Sequence, residues 1–353
     1  MKIFWLGEAN FQRLGFTSRM REMVRRELPK YFPEHKDIIL MLEKASRGSF
    51  RWNMEANGER FYVKMDFGRG PYSRKLKGRR EAMFKFVKTQ RLTGIYQIQQ
   101  IFASHGEWVA LEVLKFIEGT VTLDELLKKK MASNGQEATL FFRSLGRKIA
   151  ESVEGVHTTK PSSLEVGGQI FLSDREKVYK KAIRDILKRM DVYMPVNEEH
   201  PLISRGDRLK LQEGLRKILR GWTGESNRLC LVHGDLHGEN ILVPSNSGII
   251  LIDFSPRVHL GEPRWDDGRL VADLLEKEIE TGSPLPGEVI QGFIEKSEEL
   301  TGDSLYRQGL CFGIFSMTLL KLFPKGRPIR DPEVARKYFS NSLRIIEAGC
   351  FSN

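Results

Sequence analysis

The chain has 353 residues, a formal net charge of +11, 40% apolar residues and three cysteines. This length and apolar share are enough to bury a sizeable core, which argues against a disordered chain. Cys230, Cys311 and Cys350 stand too far apart and too few to form a disulfide framework, so a reducing cytosol is the expected compartment.

No stretch approaches ~18 uninterrupted apolar residues, so no spanning helix is expected. The opening MKIFWLGEANFQRLGF is interrupted by Glu8, Asn10 and Gln12 and does not read as a secretory signal. The positive charge gathers in MREMVRREL, SRKLKGRREAMFKFVKTQR and LLKKK. Such clusters are ordinary solvated helix faces or attract an anionic partner, including the inner face of a membrane. No aromatic stacking motif or binding module accompanies them, so nucleic acid is not expected.

Taken in order, residues 17–31 predict a basic helix capped by Thr17 or Ser18, within an N-terminal helical extension over 1–36. DIILMLEK (37–44), SFRWNMEA (49–56) and RFYVKM (60–65) predict three antiparallel strands, with ASRGS (45–49) in the first turn. Asn57-Gly58 is the hairpin signal between the second and third. A charged helix is expected over roughly 75–92, then strands at 96–104 and 107–116 joined through His105-Gly106. Residues 37–116 thus predict a small five-stranded antiparallel sheet with one helix.

From 117 to 353 the character is mainly helical, with a lobe boundary near 115–120. TLDELLKKK starts at a cap-like Thr122, and 139–157 has helical apolar spacing. Two or three helices are expected in an insert over 158–228, and helices again over most of 266–350. Between them lies LCLVHGDLHGENILVPSNSGIILIDFSP (229–256), a loop and short hairpin.

That stretch carries the chemistry. Asp235 and Asn240 lie five apart in a segment that fits neither regular helix nor strand. Asn240 leads into ILV, and thirteen residues later GIILID ends at Asp253, so a tight hairpin sets Asn240 beside Asp253. An amide oxygen and a carboxylate suit a hard cation such as Mg²⁺, and Asp235 is placed to accept a proton from a hydroxyl nucleophile. Kinase-type phosphoryl transfer uses this arrangement and demands an upstream Lys on the third strand and a Glu on the next helix. Lys64 in FYVKM and Glu81 in GRREAMFKF answer that demand in chain order.

On these residues the chain resembles the protein-kinase-like superfamily on its aminoglycoside phosphotransferase and choline kinase side. HGDLHGENIL resembles that group's HGDxxxxN motif, LIDF its metal-binding Asp segment, and GEPRWD (261–266) its G-x-P-x-x-D. The resemblance implies a bilobal α+β fold with ATP and Mg²⁺ as cofactors. It implies Asp235 as catalytic base, Asn240 and Asp253 as metal ligands, and Lys64, held by Glu81, on the α/β phosphates. Gly48 falls in the phosphate loop, and Glu112 to Phe116 in the hinge, where main-chain groups, including those of Glu112 and Leu114, meet adenine. His233 holds the catalytic loop by hydrogen bonds, and Asp266 caps a helix and braces the same loop.

FYVK, SRKLKGRREAMFKF and LEVLKFIEGTVTLDELL are also similar to bacterial lipopolysaccharide sugar kinases of the same fold. The expected acceptor is therefore a hydroxyl of a small sugar or aminoglycoside-like molecule, with a glycolipid as the alternative and a catalytically inactive pseudokinase as a further one. One Gly in ASRGSF, HGD in place of HRD, Ser255 after Asp253-Phe254 and the lack of an APE segment argue against a regulated protein kinase.

Overall fold

The computed structural model describes residues 2–7, 13–34, 37–46, 48–69, 96–116, 118–130, 135–158, 204–210, 230–245, 248–254, 260–261 and 263–302, with isolated residues elsewhere. The chain divides into two compact units. One is Met1–Thr120 with two short later pieces, and the other runs from Val121 through most of the remainder.

The first unit is built on one sheet, with strands β1 (Lys2–Leu6), β2 (Asp37–Ser46), β3 (Ser49–Ala56), β4 (Glu59–Arg69), β5 (Tyr96–Ser104) and β6 (Glu107–Lys115). Its order is β1-β2-β3-β4-β6-β5. The sheet therefore has six strands rather than the five expected, and it is mixed. β1 runs parallel to β2, with Lys2 opposite Asp37 and Leu6 opposite Met41, while the other pairs are antiparallel. The segment read only as a helical extension supplies this edge strand. KIFWL alternates, with Trp5 buried and Phe4 and Leu6 exposed, as a strand with one face on a core must.

The turns follow local chemistry. Asn57 (φ +48°) and Gly58 (φ +80°) both take the left-handed conformation that a two-residue hairpin needs, and His105 (φ +49°) and Gly106 (φ +77°) do the same between β5 and β6. Helix α1 (Ser18–Glu27) is capped by Thr17, whose hydroxyl accepts from the Met20 N–H at 3.1 Å. It stops short of residue 31. Pro29 cannot donate to a helical ladder, and Leu28–Tyr31 continues as a 3-10 turn.

One face of the sheet forms the core. Trp5, Phe50, Trp52, Phe61, Val63, Met65, Phe67, Leu111 and Val113 pack with Phe16, Met20 and Val24 from in and around α1. Edge-to-face rings at Trp5/Trp52 (5.2 Å) and Phe16/Phe67 (5.0 Å) are part of it. Tyr62, Lys64 and Asp66 alternate with these residues and occupy the other face of β4.

In the second unit, β7 (Val121–Thr122) leads into α2 (Leu123–Lys130). The Thr122 hydroxyl accepts from the Glu125 N–H at 3.1 Å, and the Glu125 carboxylate accepts from the Thr122 N–H at 3.0 Å, a reciprocal cap. Helix α3 (Gln136–His157) follows. Strands β8 (Cys230–Leu231), β9 (Ile241–Val243), β10 (Ile250–Leu251) and β11 (Leu260–Gly261) frame the loop of interest. They are followed by α4 (Pro263–Thr281) and α5 (Leu285–Thr301). Strand order β10-β9-β7 forms one small sheet, and β11 pairs with β8. Most of the expected helices over 75–92 and 158–228 lie outside the described residues, although Lys77, Glu81 and Phe84, and residues 205–210, are helical. Among the described residues no helix is long and apolar enough to cross a membrane.

Helices α3 and α5 cross at two glycines. A Cβ on Gly146 would stand 2.1 Å from the Val289 carbonyl oxygen, and one on Gly292 2.0 Å from that of Arg143. Gly292→Val is therefore expected to destabilise the chain by about 1–3 kcal/mol through overpacking, read as a lowered thermal midpoint. An unchanged midpoint would contradict this crossing.

Candidate active site

The loop after β8 is pegged from beneath. Asp266, fully buried at the start of α4, accepts the backbone N–H of His233 in a short bond and that of Gly234 at 2.8 Å. Gly234 needs its glycine, with φ +76°. His233 is the second peg. Its Nε2–H donates to the Ile252 carbonyl at 2.8 Å, and its Nδ1 accepts the Asp235 N–H at 3.3 Å. These two bonds assign the neutral Nε2–H tautomer. Burial pushes the His233 pKa down, which outweighs the Asp266 charge and the Ile252 bond, so the ring is a neutral spacer. It stacks on Phe254 at 4.4 Å between centroids.

Asp235 thus emerges from a loop with a fixed backbone. Its side chain is partly exposed and its Oδ1 meets the Arg269 guanidinium of α4 in a short ion pair. The His237 Nε2 lies 4.0 Å from the same oxygen. The Asp235 carbonyl accepts from the Asn240 amide nitrogen at 2.8 Å, and that nitrogen also lies 3.1 Å from the His237 Nε2. With the nitrogen committed to these partners, the Asn240 carboxamide presents its oxygen on the opposite side.

The hairpin sets the other acid in place. Leu251 pairs with Ile241 and Ile250 with Leu242, and the Ile252 N–H donates to the Asn240 carbonyl at 3.0 Å. Asn240 and Asp253 therefore sit at the same end of one short ladder. Asp253 holds φ +60°, an uncommon conformation for a residue with a side chain, which strain concentrates at functional sites. Among the described residues no group of three or more His, Cys, Asp or Glu is gathered as a metal site. An amide oxygen with one carboxylate fits Mg²⁺, which keeps waters and phosphate oxygens as its remaining ligands.

Behind the loop lies a buried layer in which the sequence reading had Asp266 but missed His157. His157, the last residue of α3, brings its Nε2 within 3.3 Å of Asp266 Oδ2. Burial alone would lower the His157 pKa, but the Asp266 bond and the nearby Asp267, Asp266 and Glu154 charges raise it. Asp266 shows the reverse. Burial would raise its pKa, and the His157 bond, the His157 charge and the Gly234 N–H lower it. Burial pushes Asp267 up to about 7. Arg269 was also missed. It lies one turn beyond Asp266, in a helix whose spacing gives no sign of which charges face the loop.

The first unit carries the remaining expected residues. Lys64 is buried in mid-β4, with Arg51 opposite it on β3 and Glu112 opposite it on β6. Glu112 is buried too, and its register puts its side chain on the same face as Lys64. The residue expected to contribute only main chain is therefore also a carboxylate beside the lysine. Leu114 lies two residues on in the same strand, opposite Tyr62. Gly48 takes φ +86° and its carbonyl accepts the Phe67 N–H at 2.9 Å, which ties the β2–β3 turn to β4. Glu81 is exposed and pairs with Lys77 one helical turn away at 3.4 Å.

The family model described as the phosphotransferase enzyme family matches residues 77–295. No curated protein matches the chain. Among solved structures, the aminoglycoside phosphotransferase APH(4)-Ia is similar at 14% identity and a TM-score of 0.53, covering 93% of this chain and 99% of that one. A thermostable mutant of the same enzyme, in ternary complex with ADP and hygromycin B, is similar at 15% identity and a TM-score of 0.51, covering 92% and 98%. At these identities the likeness is one of fold.

Proposed function

The chain belongs to the phosphotransferase enzyme family, and from that premise we propose that it moves the γ-phosphate of ATP to a hydroxyl of a small amine-bearing sugar or aminoglycoside-like acceptor. In this reading Asp235 orients the acceptor hydroxyl and takes its proton as the new O–P bond forms and the bond to ADP breaks. Asn240 and Asp253 would hold Mg²⁺, which neutralises charge on the phosphate chain when bound. Lys64 would contact the α/β phosphates, steadied by Glu81 or by Glu112, its neighbour in register. Main-chain groups at Gly48 would meet phosphate, and those of Glu112 and Leu114 would meet adenine.

The observation that carries this reading is the pegged loop. Asp235 is presented by a backbone whose donors and acceptors are already spoken for, beside an Asn240–Asp253 hairpin end of cation-binding chemistry.

The acceptor class rests on a cavity of about 410 Å³ that reaches the same loop at His237 and Glu239. Asp124, Glu239, Asp273, Glu276 and Glu280 outnumber Lys128 and Lys277 in its lining. That balance favours a cationic acceptor over a phosphorylated glycolipid, despite the net positive charge of the chain. Cytoplasmic placement, with or without contact to an anionic membrane face, belongs to the same proposal.

The test uses purified chain, γ-labelled ATP and Mg²⁺, with a cell extract split into soluble-metabolite and lipid fractions. Label is expected in an amine-bearing soluble metabolite and to vanish with EDTA. Label confined to glycolipid would replace the acceptor class with a lipopolysaccharide-type sugar. Nucleotide binding without transfer to any fraction would make the chain a pseudokinase and overturn the proposal.

A further inference from the structure

Between Asp235 and Asn240 the chain makes a single 3-10 turn, Gly238–Asn240. If the phosphotransferase reading holds, the width of that turn fixes the spacing of base and metal ligand. Three charged side chains from α2 and α4 grip it. The Gly238 N–H donates to Asp273 Oδ2 at 3.0 Å. Lys277, one helical turn after Asp273, meets that same oxygen in a short ion pair and reaches Asp124 Oδ1 at 2.7 Å. Asp124 in turn lies against Gly238, where a Cβ would fall 1.7 Å from its Oδ1 and 3.2 Å from the Lys277 ammonium. Only glycine lets the carboxylate approach so closely.

The grip is closed on the other side as well. Val121 and Thr122, just before Asp124, pair with Val243 and Leu242 of β9, the strand that leaves Asn240. The turn is thus held by backbone pairing at its exit and by the ion cluster at its entry.

We propose that Lys277, with Asp124 and Asp273, is a positioning residue that fixes the turn between Asp235 and Asn240. The ammonium holds together two largely buried carboxylates with side-chain exposures of 11% and 16%. Without it, like charges face each other at the floor of an already acidic cavity, and their separation releases Gly238. The lysine contacts no reacting atom. It acts through the turn.

The proposal rests on the phosphotransferase reading for its consequence, and the experiment separates the two. Lys277→Met and Lys277→Arg are made in the full chain. Amide hydrogen exchange is read on the peptide spanning 236–241 and, as a fold control, on the α3 helix. The methionine variant is expected to exchange about tenfold faster at 236–241 with α3 unchanged, and the arginine variant to stay near wild type.

Turnover of Mg·ATP with water as acceptor is the second readout. Supporting groups around a metal centre are typically worth about 10–100-fold, and the loss in Lys277→Met is expected in kcat, with KM for ATP within about twofold. Should the methionine variant not fold, Asp124→Asn, which keeps shape and removes one charge, is read in the same way.

Unchanged exchange at 236–241 overturns the proposal, as does faster exchange with an unchanged kcat. A wild-type chain that transfers phosphate neither to water nor to any acceptor fraction sinks the phosphotransferase reading instead, and the exchange data then decide the positioning role alone.

Discussion

Replacing Asp235 with alanine is expected to lower phosphoryl transfer by about 10²–10⁴-fold, the range for loss of a positioned general base, with little change in KM for ATP. The expectation follows from how the residue is built in. Its N–H is fixed on His233 at 3.3 Å and its carbonyl on the Asn240 amide at 2.8 Å, and both bonds survive substitution of the side chain. The loop is also pegged to Asp266 through the backbone of its two preceding residues. Alanine thus removes the carboxylate and its Arg269 ion pair but none of the backbone ties of the loop, and the loss should be chemical.

The Arg269 pair sharpens the point. With the guanidinium on Oδ1, Oδ2 is the oxygen left for an acceptor hydroxyl, and the carboxylate serves as an aimed acceptor of its proton. That suits a loose phosphoryl transition state, where proton transfer is late. Asp235→Asn keeps the shape but not the charge and should fall nearly as far. Steady-state rates with the labelled acceptor, alongside a melting curve for each variant, check this. A folded Asp235→Ala chain with more than about a tenth of wild-type kcat would remove Asp235 from the chemistry.

What sequence could and could not foretell divides along the range of the interactions involved. The Asn240–Asp253 neighbourhood was legible because a hairpin of that size leaves little freedom, and Asn57-Gly58 because only residues tolerant of positive φ make such a turn. Asp266 was legible through GEPRWD. β1 was not, since its partner Asp37 lies far along the chain and a parallel edge pair leaves no turn signal between the strands. The side chain of Glu112 was overlooked for a related reason. Its place beside Lys64 depends on a register set between strands more than forty residues apart. Arg269, Asp273 and Lys277 sit in a helix dense with charge, PRWDDGRLVADLLEKEIET. There only the direction of the helix in space tells which side chains meet the loop and which meet water. His157 ends an apolar helical pattern, and a histidine in that position reads equally well as core.

Asp266→Ala is expected to have the largest effect on stability. The carboxylate is fully buried and serves three donors at once: the His233 and Gly234 N–H groups and the His157 ring. The shifts run in opposite directions, Asp266 down and His157 up, each against the push of burial, so the pair is held as ions. Alanine strands a buried imidazolium and two backbone donors, and breaking such a pair costs about 3–5 kcal/mol. At roughly 2–4 °C per kcal/mol for a unit of this size, the thermal midpoint should fall by on the order of 10 °C. A fall under about 3 °C would show that the peg carries little.

The pH dependence has a definite sign. His157, raised, contributes stability that is fully present below its ordinary 6.5 and is lost as pH climbs through its folded value. Asp266, lowered, contributes above its ordinary 3.8 and loses that contribution as pH falls through its folded value. The gap between wild type and Asp266→Ala should therefore be widest between about pH 4 and 6.5 and narrow on both sides. A gap that instead widened steadily above neutrality would mean His157 is neutral in the folded chain, and that Asp266 is held by the two backbone donors alone.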